Sequence, residues 1–342
     1  MNFSFDASLA ENYKSNSQKI RVMSETWVSK NIFCPVCGNP HISNLDNKVV
    51  NGYMSLPCLI CVDSDGCAMD TMNIKHEKYF GPLAAEVFGI KNRDEFLGIW
   101  NRINLYSTTR GINRFKGLVL GLQEAIANGE EVGDISNLLN WAETTKELSN
   151  KSLEKEVDKN PAEDLKKALT WSQKVNTGIE ELAGKDAPFP NVLEVLNELH
   201  EVADIAIVSS ANSEALYSEW ERHLLLPHVD VVYGQEAGTK AACISELKDY
   251  GYADDEILMV GDAPGDLNAA LKNSVLYYPI LFGKETFSWK RLSTEGVKHF
   301  TAKTYAGDYQ EAVITEFDDL LKQYNCRNFD ELFLSRRGSV DD

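Results

Sequence analysis

Leu59-Ile60-Cys61-Val62-Asp63-Ser64-Asp65-Gly66-Cys67 is the stretch on which the reading of this chain turns. Four apolar residues stop abruptly at two carboxylates one residue apart, with a glycine behind them. So short and apolar a run is the pattern of a strand buried on both faces of a parallel sheet. In open α/β sheets, ligands bind just beyond the carboxyl ends of such strands. Asp63 and Asp65 therefore stand where chemistry is expected, and two acids so close need a partner cation or a proton.

Working outward, the rest of the chain supplies the cations. Glu256-Ile257-Leu258-Met259-Val260-Gly261-Asp262 repeats the design, and Ala263-Pro264-Gly265-Asp266 places another acid at the mouth of the next helix. Two acid-tipped strands side by side gather three or four carboxylates around one point. An all-oxygen donor set of Asp63, Asp65, Asp262 and Asp266 suits a hard cation such as Mg²⁺. A third apolar run, Ile205-Ala206-Ile207-Val208, ends in Ser209-Ser210, whose hydroxyls are candidate donors to phosphate oxygens; Ser209 is favoured as the first residue past the strand. Gly238-Thr239-Lys240 brings an ammonium to the start of an amphipathic segment.

Together these residues suffice for phosphoryl transfer. Asp63 is the candidate nucleophile, forming an aspartyl-phosphate. Asp65 is the candidate acid and base, protonating the leaving oxygen and then deprotonating water. The metal and Lys240 neutralise charge on the transferred group. Taken singly, each motif has a plainer reading. Asp-x-Asp-Gly is commonly a turn, Gly-Asp a turn with a helix cap, and Lys240 a solvated charge. Their occurrence together, each at a strand end or helix start, favours chemistry.

In order and spacing, these motifs resemble the haloacid dehalogenase superfamily. Asp63-Ser64-Asp65-Gly66 with Asp70-Thr71 is similar to its first motif, Ser209 to the second, Lys240 to the third, and Gly261-Asp262-Ala263-Pro264-Gly265-Asp266 to the fourth. The likeness spans roughly residues 56 to 325, with Cys67 where the family usually carries Thr or Val. It implies an α/β, Rossmann-like parallel sheet of at least five strands with helices on both faces. It also implies Mg²⁺-dependent hydrolysis of a small phosphorylated metabolite. A phosphomutase shares every motif named; a dehalogenase shares the nucleophile but has no use for the acid Asp65.

Between the first two motifs, residues 72–187 carry helical periodicity and little strand signal. Asn160-Pro161-Ala162-Glu163 predicts a helix start with Asn160 as N-cap, followed by apolar Leu165, Leu169, Val175 and Ile179. The insertion resembles the α-helical cap that this superfamily places after the nucleophile strand. Within it, Arg110, Arg114 and Lys116 form a basic segment in an acidic protein, candidates to reach the substrate's phosphate or leaving group. Trp141 and Trp171 are expected to anchor the cap core rather than stack on a ligand. The predicted division is a catalytic core of 51–71 and 188–330, a cap of 72–187, a tail of 331–342 and an N-terminal appendage of 1–50. Val275 to Ile280 reads as a further strand, and Tyr309 to Tyr324 as a terminal amphipathic helix.

The appendage holds Cys34-Pro35-Val36-Cys37. With Glu11 to Lys19 and Glu25-Thr26-Trp27-Val28, residues 10–47 resemble the extreme N-terminus of DpnI-type restriction endonucleases. That family implies a second cysteine pair completing a zinc site and a carboxylate–lysine catalytic segment, of which no counterpart precedes the core. Cys58 and Cys61 offer the spacing for zinc but lie on the strand that delivers Asp63. Residues an odd number apart on a strand point to opposite faces, so strand and four-cysteine zinc exclude each other. The strand is preferred, leaving Cys34 and Cys37 as a half-site.

The remaining bounds come from composition. The 342 residues carry a net charge of −18, which disfavours nucleic acid and anionic lipid as partners. A DNA-binding or restriction-associated module is therefore the weaker alternative from another class. No run reaches the ~18 apolar residues of a membrane span. Seven cysteines, with no signal-like segment at Met1 to Asp6, suggest a reducing cytoplasm. Neither substrate identity nor oligomeric state is legible.

Overall fold

The computed structural model describes residues 56–182 and 184–325; the N-terminal appendage with Cys34 and Cys37, and the tail, lie outside these. Five strands form one parallel sheet: β1 (Leu59–Val62), β2 (Asp204–Val208), β3 (Val231–Tyr233), β4 (Ile257–Gly261) and β5 (Leu276–Pro279), in the order β3-β2-β1-β4-β5. All four β1 residues are buried, as the apolar run predicts. Leu59 pairs in register with Asp204 on one side and Ile257 on the other. The chain builds outward from β1 through β2 to β3, then returns to β1's other side with β4. The strand order thus reverses between β1 and β4, where a crevice opens in this type of sheet.

Alternation along β1 separates two hydrophobic layers. Cys58, Ile60 and Val62 face one, with Val192, Leu196 and Leu199 of the helix Val192–Leu199 and with Leu216 and Trp220 of Ser213–Arg222. Leu59 and Cys61 face the other, with Cys243, Ile244 and Leu247 of Lys240–Lys248 and Phe317, Leu320 and Leu321 of Asp308–Gln323. Helices thus cover both faces of the sheet, the arrangement a fully apolar parallel strand requires. Cys58 and Cys61 lie on opposite faces, as the strand reading requires.

Residues 72–182 contain helices and turns only. The first helical stretch runs through Met72–Lys75, a π-helical turn His76–Phe80, and Gly81–Phe88. Arg93–Asn101, Arg114–Ala127, Ser136–Thr144, Asn150–Lys159 and Glu163–Glu180 follow. These helices share a separate aromatic core. Trp171 meets Trp100 edge-on at 5.9 Å and Phe115 at 6.0 Å, and Phe115 meets Trp141 at 5.0 Å. The edge-to-face geometry suits the ring quadrupoles. Trp141 and Trp171 are both buried in this core, as expected.

One helix start differs from its prediction. Asn160 ends the preceding helix instead of capping the next: its backbone N–H donates to the Glu156 carbonyl, and its amide donates to Asn137. The following helix begins at Glu163 with Ala162 as N-cap and no side-chain cap bond. Glu163 and Asp164 in its first turn complement the positive end of the helix dipole instead.

Candidate active site

Asp63 emerges from the end of β1 with its backbone N–H donating to the Val260 carbonyl of β4 at 3.0 Å, which fixes it in the crevice. Ser64 N–H donates to Asp63 Oδ1 at 2.8 Å. The turn that follows is tight, with the Ser64 carbonyl accepting from the backbone of Cys67, Ala68 and Met69. Gly66 takes φ +80° there, and a Cβ on it would lie 2.7 Å from Asp262 Oδ2. Only glycine satisfies both demands. Cys67, the departure from the family pattern, is a buried core side chain.

β4 delivers Asp262, and the helix Pro264–Lys272 delivers Asp266 from its first turn. Asp266 Oδ2 accepts from the Ala263 backbone N–H at 3.1 Å, reaching back over the helix start. Lys240 opens the helix Lys240–Lys248, which Thr239 caps by accepting from Ala242 N–H. Its ammonium bridges Asp63 Oδ2 at 2.7 Å and Asp266 Oδ1 at 2.5 Å. Burial alone would lower the Lys240 pKa, but Asp266 and Asp63 outweigh it and raise the pKa. Burial pushes Asp63 and Asp262 up to about 6; Lys240 opposes the rise at Asp63, and Arg110 opposes it at Asp262.

Three of the four acids read from the sequence converge. Asp63, Asp262 and Asp266 each offer an oxygen within 4.8 Å of the others. Asp262 is 1 % exposed, and its Oδ1 has no hydrogen-bond partner. A buried carboxylate oxygen left bare beside two more carboxylates is the donor set a hard cation fits. The fourth acid, Asp65, lies outside this group, which corrects the expectation that its carboxylate joins the metal ligands. Lys75 holds both its oxygens, at 2.8 and 2.9 Å, and the Thr71 hydroxyl donates to it as well. Burial would raise its pKa, but Lys75 and Thr71 prevail and lower it. The rise at Asp63 comes from burial and from Asp266, not from Asp65.

Sequence reasoning missed Lys75, which stands ten residues past Asp65 in the first turn of the insertion. No local periodicity couples the two; the turn at Gly66 brings them together. His76 was missed as well. Its Nδ1 accepts from Trp100 Nε1 at 3.1 Å, and the ring stacks on Phe80 at 4.6 Å. An indole nitrogen can only donate, so the histidine proton sits on Nε2. Burial, reinforced by Arg110, depresses the His76 pKa to about 3.

The remaining candidates divide. Ser209 is buried immediately past β2, its hydroxyl accepting from Ala211 N–H, whereas Ser210 is exposed. Arg110 reaches the site, but its partner is Asp262: Nη2 lies 2.6 Å and Nε 2.8 Å from Oδ2. Arg114 bonds the neutral side chains of Ser172 and Asn176 and lies over Phe80. Lys116 is exposed.

A parallel sheet with carboxylates at its reversal point, joined to an inserted helical layer, defines an open α/β fold with a ligand crevice. Comparison with known families agrees. Residues 72–278 match the family of haloacid dehalogenase-like hydrolases, and the chain belongs to that family. Residues 1–64 match the Dam-replacing family of DpnI, so that likeness extends beyond 10–47 into β1. Among solved structures, a Bacteroides fragilis protein described as a haloacid dehalogenase-like hydrolase is 14 % identical, with a TM-score of 0.43 over 69 % of this chain and 93 % of its own. A Lactobacillus delbrueckii protein described as a phosphoglycolate phosphatase is 16 % identical, with a TM-score of 0.39 over 65 % and 85 %. The Bacillus subtilis hydrolase YfnB, bound to magnesium, is 14 % identical, with a TM-score of 0.39 over 65 % and 86 %.

Proposed function

We propose that this chain is a Mg²⁺-dependent phosphohydrolase acting on a small phosphorylated metabolite through an aspartyl-phosphate. The observation that carries the reading is the convergence of Asp63, Asp262 and Asp266 with Lys240 bridging two of them. Held by the three carboxylates, Mg²⁺ would supply positive charge against the phosphoryl oxygens. An Asp63 oxygen forms the new bond to phosphorus while the bond to the leaving oxygen breaks. Lys240 keeps Asp63 ionised and oriented despite burial, and Ser209 is placed to donate to a phosphoryl oxygen. Asp65 serves both halves. Held as a carboxylate by Lys75, it stands ready as the base that takes a proton from the hydrolytic water. Its acid half requires that the Lys75 contact open and that Asp65 take up a proton.

We read residues 51–71 and 188–330 as the catalytic core and 72–187 as the cap that selects the substrate. The test is phosphate release from a panel of phosphorylated metabolites and an aryl phosphate, with and without Mg²⁺. Metal-dependent release that falls at least about a thousandfold in Asp63→Asn is expected, the scale for losing a nucleophile. No release from any compound, or equal release by the variant, overturns the reading.

A further inference from the structure

Arg110 belongs to the inserted helical layer, yet its guanidinium lies at the acidic cluster of the sheet. Two nitrogens hold Asp262 Oδ2, Nε also donates to the Asp262 carbonyl at 3.0 Å, and Nη1 donates to the Leu105 carbonyl. Both side chains are almost wholly buried, at 2 % and 1 % exposure. The loop that carries Arg110 is fitted to this position. Gly111 takes φ +70°, and a Cβ on it would lie 2.8 Å from Ala263 Cβ, so the two backbones meet only because glycine stands there. On the other side, a Cβ at Gly66 would lie 2.8 Å from Arg110 Nη2. Phe282 closes the remaining face, its ring centre 5.4 Å from the guanidinium carbon.

Counting the buried charges gives this contact a meaning beyond cap docking. Asp63, Asp262 and Asp266 are opposed by Lys240 and Arg110, three negative groups against two positive ones. Uncompensated buried carboxylates are costly, and Arg110 leaves the cluster one charge short of neutral instead of two. It does so on Oδ2 alone, so Oδ1 of Asp262 stays buried and without a hydrogen-bond partner. We propose that Arg110 is a resident counter-ion of the metal site, delivered by the cap, which shares Asp262 with the metal and holds the cluster together when the metal is absent.

The inference rests on the three carboxylates being the metal site, and the experiment separates the two. Mn²⁺ binding is measured by electron paramagnetic resonance on the intact wild type, on Arg110→Met and on Arg110→Lys. Thermal unfolding of each is recorded with a chelator and with millimolar Mg²⁺. Methionine approximates arginine in length without the charge. A fixed positive charge a few ångströms away repels a dication strongly in a buried setting, so Arg110→Met is expected to bind Mn²⁺ at least about tenfold tighter than wild type. Its melting temperature is expected to rise more with Mg²⁺ than the wild type's, because the metal takes over the missing charge. Arg110→Lys keeps the charge and is expected to stay within about threefold of wild type, well inside the effect of losing that charge.

Unchanged or weaker Mn²⁺ binding by Arg110→Met overturns the proposal. So does an Arg110→Met protein that stays unfolded with Mg²⁺ as well as without, since Arg110 is then a fold contact only. A tenfold change in Arg110→Lys overturns it too. If a folded wild type and both variants all fail to bind Mn²⁺, the metal reading itself falls, and the counter-ion with it.

Discussion

Glu219 carries a charge that the fold discourages. Its Oε2 is buried without a hydrogen-bond partner, and burial pushes its pKa up from 4.5 to about 7, against the pull of Lys75. A carboxyl whose folded pKa is raised contributes stability that is fully present below pH 4.5 and is lost as pH rises through about 7. Glu219→Gln is therefore expected to match wild type in its urea midpoint near pH 4.5 and to exceed it at pH 8. An equal or lower midpoint at pH 8 would show that the ionised group is well accommodated. Nothing in the sequence marks Glu219, because its surroundings are set by Lys75 and Asp186 from distant segments. Asp63, Asp262, Asp266 and Lys240 were legible for the opposite reason: each stands immediately past an apolar run or at a helix start. Arg110 was legible as a basic residue bound for the site, but not as the partner of Asp262. That pairing depends on how closely the Gly111 loop approaches Ala263.

At the scale of elements, the helix Glu163–Glu180 shows which patterns translate into packing. Of the apolar positions predicted there, Leu165 and Val175 are buried and Leu169 and Ile179 half-buried, while Ala168 and Trp171 complete the buried face. Its beginning was misread because Asn-Pro before an acid is also how a preceding helix can end, and the bonds from Asn160 to Glu156 and Asn137 decide between the two. Trp171 gives the sharper test of what the layer's aromatics do. It is wholly buried among Phe80, Trp100 and Phe115, and its indole N–H donates to the Phe80 carbonyl at 3.0 Å. Trp171→Ala is expected to cost about 3–5 kcal/mol in urea unfolding, the range for emptying an aromatic site. A ligand-stacking tryptophan would behave differently, leaving stability intact and raising KM.

For the whole molecule, contacts divide the chain into Met1–Val49 and Val50–Asp342. A chain beginning at Val50 is accordingly expected to unfold at the same temperature as the intact protein and to release phosphate at the same rate. A fall of more than about 5 °C, the scale of 1 kcal/mol in a domain, would tie the first segment to the fold of the second. The sheet order was only partly legible: four strands and their parallel pairing follow from apolar runs separated by helices, whereas the three-residue β3 is too short to stand out. That β4 returns to flank β1 could be inferred only by asking which acids must meet. The same arrangement sets a clock on biosynthesis. β1 leads into Asp63 and sits at the centre of the sheet, yet its partner strand β4 follows it by roughly two hundred residues. At the usual pace of translation of about 5–20 residues per second, β1 waits on the order of 10–40 s for that neighbour. During this interval β1 has at most β2 on one side, and its other edge stays open. The inserted helices, whose aromatic core is built from their own residues, can collapse first and hold the ends of the growing chain together. Long-range pairing of this kind is slow and exposes strand edges to other chains. Yield at low temperature or with chaperones, not the melting temperature of the finished protein, is where the topology of this sheet will be felt.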